Sequence, residues 1–227
     1  EYRADLENMA VAAGDFDEDG LMDAFMSSST AAELVFMRQS AAHEFAEAAR
    51  ITTADFVHEM IAADFNGDGH LDLACLTSMD EVLVLSGDGT GTFPSSYTRP
   101  APPGALWMTT ANLDAAGPVD LVVLSYYWTS MQKYFSVTNG ECVAGPQEAL
   151  LSGPAALAAA DLNGDGSKDV VASSTPSALQ VYLGLGRGQL APAVASPQPG
   201  TPLVAGDLDG DGTSELVAGT TKGALLL

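Results

Sequence analysis

Short apolar runs alternate with Gly- and Asp-rich breaks along the whole chain, with a period of roughly 45–50 residues. Each period opens on a run of small side chains: MAVAAG (9–14), MIAA (60–63), MTTA (108–111), LAAA (157–160) and LVAG (203–206). After a break comes a more bulky apolar run, as in LDLACL (71–76), LVVL (121–124) and LVA (216–218). A third run follows a polar turn, as in ELVFM (33–37), VLVL (82–85) and LQVYL (179–183), and a weaker, more polar one follows a Gly-rich turn, at 92–98 and 189–195. Their lengths and β-branched content predict strands. The Ala-rich runs have helix propensity, but the breaks cut them below two turns, so they too are read as strands. Four antiparallel strands per period, with the smallest side chains on the first, predict an all-β chain built as a β-propeller, because only small residues fit where inner strands converge. The fifth period stops after its third strand, and residues 1–6 precede the first strand without a blade of their own. They are expected to supply the outer strand of the last blade. The expectation is therefore one domain, 1–227, of about five four-stranded blades, without open sheet edges.

The break after each first strand carries a nine-residue pattern, Asp-x-Asp/Asn-x-Asp-Gly-x-x-Asp/Glu. It occupies 15–23, 64–72, 161–169 and 207–215, with a degenerate copy at 112–120. The side-chain oxygens fall on alternate positions: Asp15, Asp17, Asp19 and Asp23; Asp64, Asn66, Asp68 and Asp72; Asp161, Asn163, Asp165 and Asp169; Asp207, Asp209, Asp211 and Glu215. A backbone carbonyl at position seven (Leu21, His70, Ser167, Thr213) adds a further oxygen. Glycine at position six permits the reversal that turns alternate side chains inward. Hard oxygens in a tight loop suit Ca2+, which takes six to eight of them, better than Mg2+, which keeps its waters. Zn2+ would call for His or Cys. Asp and Gly are also ordinary turn formers, but four near-complete copies argue for about four Ca2+ ions. The degenerate copy has Asn112 at position one and Ala116 at position five, so little or no metal is expected there. An EF-hand would need a Glu at position twelve; Met26, Cys75, Ala172 and Ala218 stand there, and the flanks are strand-like. A dockerin fails for want of comparable ligands downstream.

Composition changes this picture little. The formal charge of −22 arises from thirty Asp/Glu against eight Lys/Arg, and sixteen of the acids sit at loop ligand positions. With no basic patch, nucleic acid is not an expected partner, and no apolar run is long enough for membrane insertion. Cys75 lies in an apolar strand pattern and reads as a small hydrophobe; it and Cys142 do not fix the redox compartment. Loops of this kind fill where calcium is millimolar, which points to an extracellular or periplasmic setting.

The phrases GDFDEDG (14–20), ADFNGDGHLD (63–72), LVLSGDGTGTF (83–93) and VYLGLGRG (181–188) resemble FG-GAP/VCBS repeats, the calcium-loop propellers that include the integrin α head and some lectins. The resemblance spans nearly the whole chain. It implies a propeller, calcium in the loops and a binding or adhesion role, whereas many such rings have seven blades.

In four repeats the turn between the second and third strands is small and polar, but the third carries Tyr126, Tyr127 and Trp128, and Trp107 opens its first strand. Aromatics beside polar groups suit a sugar ring or a protein hot spot; packing between blades is the plainer reading for Trp107 and one or two of the tyrosines. Alternation along a strand requires at least one of the three to be exposed. No nucleophile–base arrangement or phosphate loop stands out, so no enzyme is expected. The function read from the sequence is a calcium-stabilised extracellular module that binds glycan or protein. The alternatives are a scaffold without ligand, or an accessory domain of a carbohydrate-active enzyme.

Overall fold

The computed structural model describes residues 8–41, 44–114, 117–138, 140–150, 153–174, 178–196, 203–210, 214–220 and 223–226, and every regular element among them is a strand. The first sheet is β1 (Asn8–Gly14), β2 (Asp23–Ser28), β3 (Glu33–Ala41) and β4 (Glu44–Thr52), and the second β5 (Val57–Ala63), β6 (Asp72–Thr77), β7 (Glu81–Ser86) and β8 (Ser95–Pro100). The third is β9 (Ala105–Ala111), β10 (Asp120–Ser125), β11 (Ser130–Phe135) and β12 (Val143–Ala149). The fourth is β13 (Pro154–Ala160), β14 (Asp169–Ser174), β15 (Ala178–Tyr182) and β16 (Val194–Ser196). The last comprises β17 (Leu203–Gly206), β18 (Glu215–Thr220) and β19 (Gly223–Leu226). All pairings are antiparallel between chain neighbours, as expected of propeller blades. The expected outer strand of the fifth sheet, residues 1–6, lies outside the described residues. No helix among the described residues is long and apolar enough to cross a membrane.

Outer strands differ most from expectation. β8 starts at Ser95, after Pro94, which has no N–H to give a ladder. β16 is only three residues long, and an isolated bridge between Gly184 and Leu190 precedes it. The Ala-rich β13 is a strand, its side chains alternating between buried and half-buried.

One compact unit holds the first two sheets with residues 138–141, and a second holds the other three. In the first, Phe25 and Phe36 of one blade pack on Leu73, Cys75 and Leu85 of the next. Phe16, Phe25, Phe36 and Phe93 form an aromatic cluster, with Phe25 stacked on Phe36 at 4.8 Å and Phe16 edge-on to Phe25 at 5.0 Å. In the second, Val122, Leu124 and Met131 meet Val170, Ala172 and Tyr182, and Val171 and Leu179 meet Leu216 and Ala218. Each buried Val, Leu, Met or Phe among these stabilises by roughly 1.5–3 kcal/mol. Covering on both faces explains why β6 and β10 are buried at every position and read as unbroken apolar runs. Cys75 belongs to this core, burial pushing its thiol far up; Cys142 is free and buried as well.

The Gly-rich turn after a third strand reaches back onto the loop of the preceding blade. Gly91 N–H donates to the Phe16 carbonyl at 2.9 Å, and Gly188 N–H to the Leu113 carbonyl at 3.0 Å. A side chain at Gly188 would strike the Phe135 ring. Lys133, fully buried on β11, donates to the Gly188 carbonyl at 3.0 Å and to Glu148 at 2.9 Å, anchoring that turn.

Candidate functional site

Each acid-rich loop joins the first strand of a blade to the second, and its ninth residue pairs in register with the last residue of the first strand: Gly14 with Asp23, Ala63 with Asp72, Ala160 with Asp169, Gly206 with Glu215. Within the loops, each oxygen-bearing side chain accepts N–H groups a few residues ahead. Asp64 accepts from Gly67 at 2.6 Å and Gly69 at 3.0 Å, Asn66 from Asp68 at 2.8 Å, and Asp68 from His70 at 2.9 Å. The fourth copy repeats this with Asp161, Asn163 and Asp165. In the first, Asp15 accepts from Asp19 and Gly20, and Asp19 from Leu21. In the first loop this coil turns the alternate carboxylates of Asp15, Asp17 and Asp19 to one side. Gly20, Gly69 and Gly166 at position six have φ of 86°, 92° and 86°, a left-handed conformation that suits glycine.

Ligand atoms of Asp15, Asp17 and Asp19 lie within 4.8 Å of one another, as do those of Asp207, Asp209 and Glu215. Hard oxygens held this close repel unless a cation joins them, so the donor set fits calcium. In the second and fourth loops the Asn amides offset part of that repulsion: Asn66 Nδ2 donates to Asp68 at 3.0 Å and Asn163 Nδ2 to Asp165 at 2.9 Å. Asp211 and Thr213 of the fifth copy lie outside the described residues.

Position nine does more than the spacing suggested. Asp72 is fully buried, accepting from Phe65 N–H at 2.9 Å and Gly87 N–H at 3.0 Å, so it ties its loop to the end of β7. Asp23 does the same with Phe16 and Gln39, and Asp169 with Leu162 and Gly184. Burial, partly opposed by these bonds, pushes the Asp72 carboxyl up to about 6 and raises Asp23 as well. The degenerate third copy keeps the tie: Asp120 is fully buried and accepts from Leu113 and Ser136, both at 2.9 Å, and burial raises it too. What that copy lacks is the alternate carboxylate cluster. Ala116 lies outside the described residues, and Asn112 reaches the Gly117 carbonyl at 3.4 Å.

Position four is a second feature the motif did not declare. Gly67, Gly164 and Gly210 are left-handed there, with φ of 75°, 72° and 79°, while the first loop places Glu18 at 57°. Glu18 thereby meets the imidazole of His70 in the next loop at 2.5 Å, which raises the His70 pKa. The side chain of His70 is thus engaged with Glu18.

Tyr126, Tyr127 and Trp128 are 47 %, 77 % and 58 % exposed on the turn between β10 and β11. The turn is held from below: Tyr126 N–H donates to the Gly104 carbonyl at 2.9 Å, Trp128 N–H to Ser125 Oγ at 3.1 Å, and Ser125 Oγ–H to the Pro103 carbonyl at 2.6 Å. Tyr127 lies over Gly104, where any Cβ would strike its ring, and stands edge-on to Tyr126 at 5.7 Å. Trp128 borders a recess of about 300 Å³ with Ser130, Gln147 and Glu148. Trp107 is placed differently: it is half-buried against the core around Leu124 and Val170, the packing role weighed for it. A larger cleft of about 440 Å³ lies between the second loop and β8. Its groups are engaged internally: Asp88 by Thr90 and Thr92, Glu141 by Arg99, and Tyr97 by the same Arg99 at 5.0 Å.

The FG-GAP-like repeat family matches residues 15–75, 64–123 and 144–218. The chain belongs to that family. Among solved structures it is similar to BBS1N in complex with ARL6DN, in a lead-soaked crystal (TM-score 0.68, 13 % identity, 96 % of this chain and 60 % of that one). The mercury-soaked crystal of the same complex gives 0.67, 13 %, 99 % and 65 %. Sqt1 of Saccharomyces cerevisiae gives 0.68, 12 %, 97 % and 61 %. At such identities the likeness is one of fold, an all-β propeller, and the chain spans under two thirds of the length of these structures. No curated protein sequence matches it.

Proposed function

We propose that this chain is a calcium-stabilised extracellular or periplasmic binding module that recognises a glycan through the turn between β10 and β11. The observation that carries the reading is the trio Tyr126, Tyr127 and Trp128, exposed together on a turn pinned by Ser125 and Gly104. Desolvating exposed rings is favourable, and rings already held in place lose little freedom on binding. The recess beside Trp128 adds Gln147, whose amide donates to Ser130 Oγ at 2.9 Å, and Glu148, held by Lys133 at 2.9 Å, so that the Gln147 amide oxygen and the second Glu148 oxygen are the groups proposed for sugar hydroxyls. A flat protein partner has less use for such a recess, which favours the glycan.

The intact loops would hold the metal through Asp15, Asp17, Asp19 and Asp23, Asp64, Asn66, Asp68 and Asp72, and their counterparts in the fourth and fifth copies. Calcium supplies positive charge that cancels carboxylate repulsion in each loop. The chain's own contribution is the coil of backbone bonds, which in the first loop already holds the oxygens of Asp15, Asp17 and Asp19 together. No catalytic role is assigned to any residue, and neither nucleic acid nor a membrane is a proposed partner.

A glycan array probed in millimolar calcium, beside the Trp128→Ala variant, tests the reading. A hit lost in the variant supports it. A blank array contradicts glycan recognition and leaves a protein partner, a ligand-free scaffold, or an accessory domain of a carbohydrate-active enzyme.

A further inference from the structure

Arg38 stands at the end of the regular pairing of β3 with β2, one residue beyond Met37, which pairs with Ala24. Its Nε forms an ion pair with Asp17 Oδ2, at the third position of the first loop. The Asp17 side chain is 1 % exposed and that of Arg38 is 48 % exposed, so a solvent-side cation covers a buried carboxylate. Asp17 Oδ2 is buried and takes no hydrogen bond from its own loop. The oxygen that the loop leaves free for an ion is the one the guanidinium faces.

The other described blades have no cation at this register. Leu85 pairs with Leu73, so Ser86 follows; Tyr134 pairs with Leu121, so Phe135 follows; Tyr182 pairs with Val170, so Leu183 follows. The first loop also has Asp17 where the second and fourth have Asn66 and Asn163, whose amides donate to neighbouring carboxylates. Asp17 has no such donor to offer, and Arg38 supplies the missing positive charge from the next strand.

We infer that Arg38 is a built-in counter-cation that sets the calcium affinity of the first loop. It neutralises Asp17 when the loop is empty and opposes the incoming ion, which must either displace it or bind beside a like charge. The first site thereby binds calcium more weakly than it would without Arg38. This rests on the calcium reading proposed above.

The test is calcium titration calorimetry and thermal melting of wild type, Arg38→Gln and Ser86→Arg. Ser86 occupies the matching register beside the second loop and borders the 440 Å³ cleft, which has room for a longer side chain. Removing Arg38 should tighten one site by about two- to fivefold, the range of a partly screened ion pair. The same variant should melt lower than wild type without calcium and regain or exceed the wild-type value in saturating calcium. A purely structural arginine would lower both melts alike. Ser86→Arg should weaken one site by a similar factor. Unchanged affinities in Arg38→Gln, or equal losses of stability in both conditions, overturn the inference while wild-type binding upholds the calcium reading. A wild-type chain that takes up no calcium overturns both.

Discussion

The second and third acid-rich loops, 64–72 and 112–120, share their closing residue and differ in the side chains that lead up to it. Both start from the end of an inner strand, and both are closed by a buried Asp at position nine that accepts two backbone N–H groups. Only the second keeps oxygen side chains at every alternate position between. The pair shows that one motif performs two separable tasks. Position nine joins the loop to the third strand in both copies, whereas only the second copy carries at positions one, three and five the further oxygens proposed to hold an ion. A copy can lose the second task without losing the first.

The largest expected effect comes from removing calcium altogether. Each ion bound at a hundred times its dissociation constant contributes about 2.7 kcal/mol, and 1 kcal/mol moves the melting temperature of a chain this size by about 2–4 °C. With about four ions, a chelator should therefore lower the wild-type melt by roughly 20 °C or more. Next come the position-nine substitutions, which sharpen the comparison. Asp120→Ala leaves two buried N–H groups unpaired and should cost about 2–5 kcal/mol by chemical denaturation. That loss should be the same with and without calcium, whereas Asp72→Ala should cost more with calcium than without, because it forfeits a ligand as well. Equal calcium dependence of the two variants would break the separation of tasks.

The pH response follows from the same residue. The folded state holds the Asp72 proton more tightly than the unfolded chain does, because burial raises the group from an ordinary carboxylate value to about 6. Its contribution to stability is therefore present at acid pH and lost as pH rises through about 6. In calcium-free buffer, melting temperature should climb as pH falls from about 7 to about 5, and Asp72→Asn should flatten the climb. With calcium the slope should reverse, since protons then compete with the ion. A wild-type slope of the same sign in both buffers would contradict a ligand role for Asp72. Smallest is Glu18→Gly, which relieves a left-handed φ of 57° and loses the contact to His70. These changes oppose each other and should leave stability within about 0.5 kcal/mol in a urea melt.

The sequence spoke most clearly where chemistry repeats. Five copies at even spacing made the blades legible, and the small residues of β5 and β13 marked the inner strands despite their helix propensity. The loss of ligands in the third copy was equally plain. Position nine was legible as an oxygen but not as a tie, because ligand and backbone acceptor call for the same carboxylate. Left-handed position four was obscured by Glu18, a residue whose conformation answers to His70 some fifty positions on. Arg38 was invisible because its meeting with Asp17 depends on the register between β2 and β3, which spacing alone does not supply. Among the aromatics, alternation required at least one exposed ring of three; the tight turn exposes all of them, since turn residues have no second face to bury.

The measurement closest to the central claim is a metal count on chain dialysed against millimolar calcium, made beside Asp165→Ala and Asp114→Ala. About four ions per chain are expected, one fewer in the first variant and no change in the second, because only intact loops gather enough hard oxygens. No bound calcium, or an ion lost with Asp114, would contradict the account.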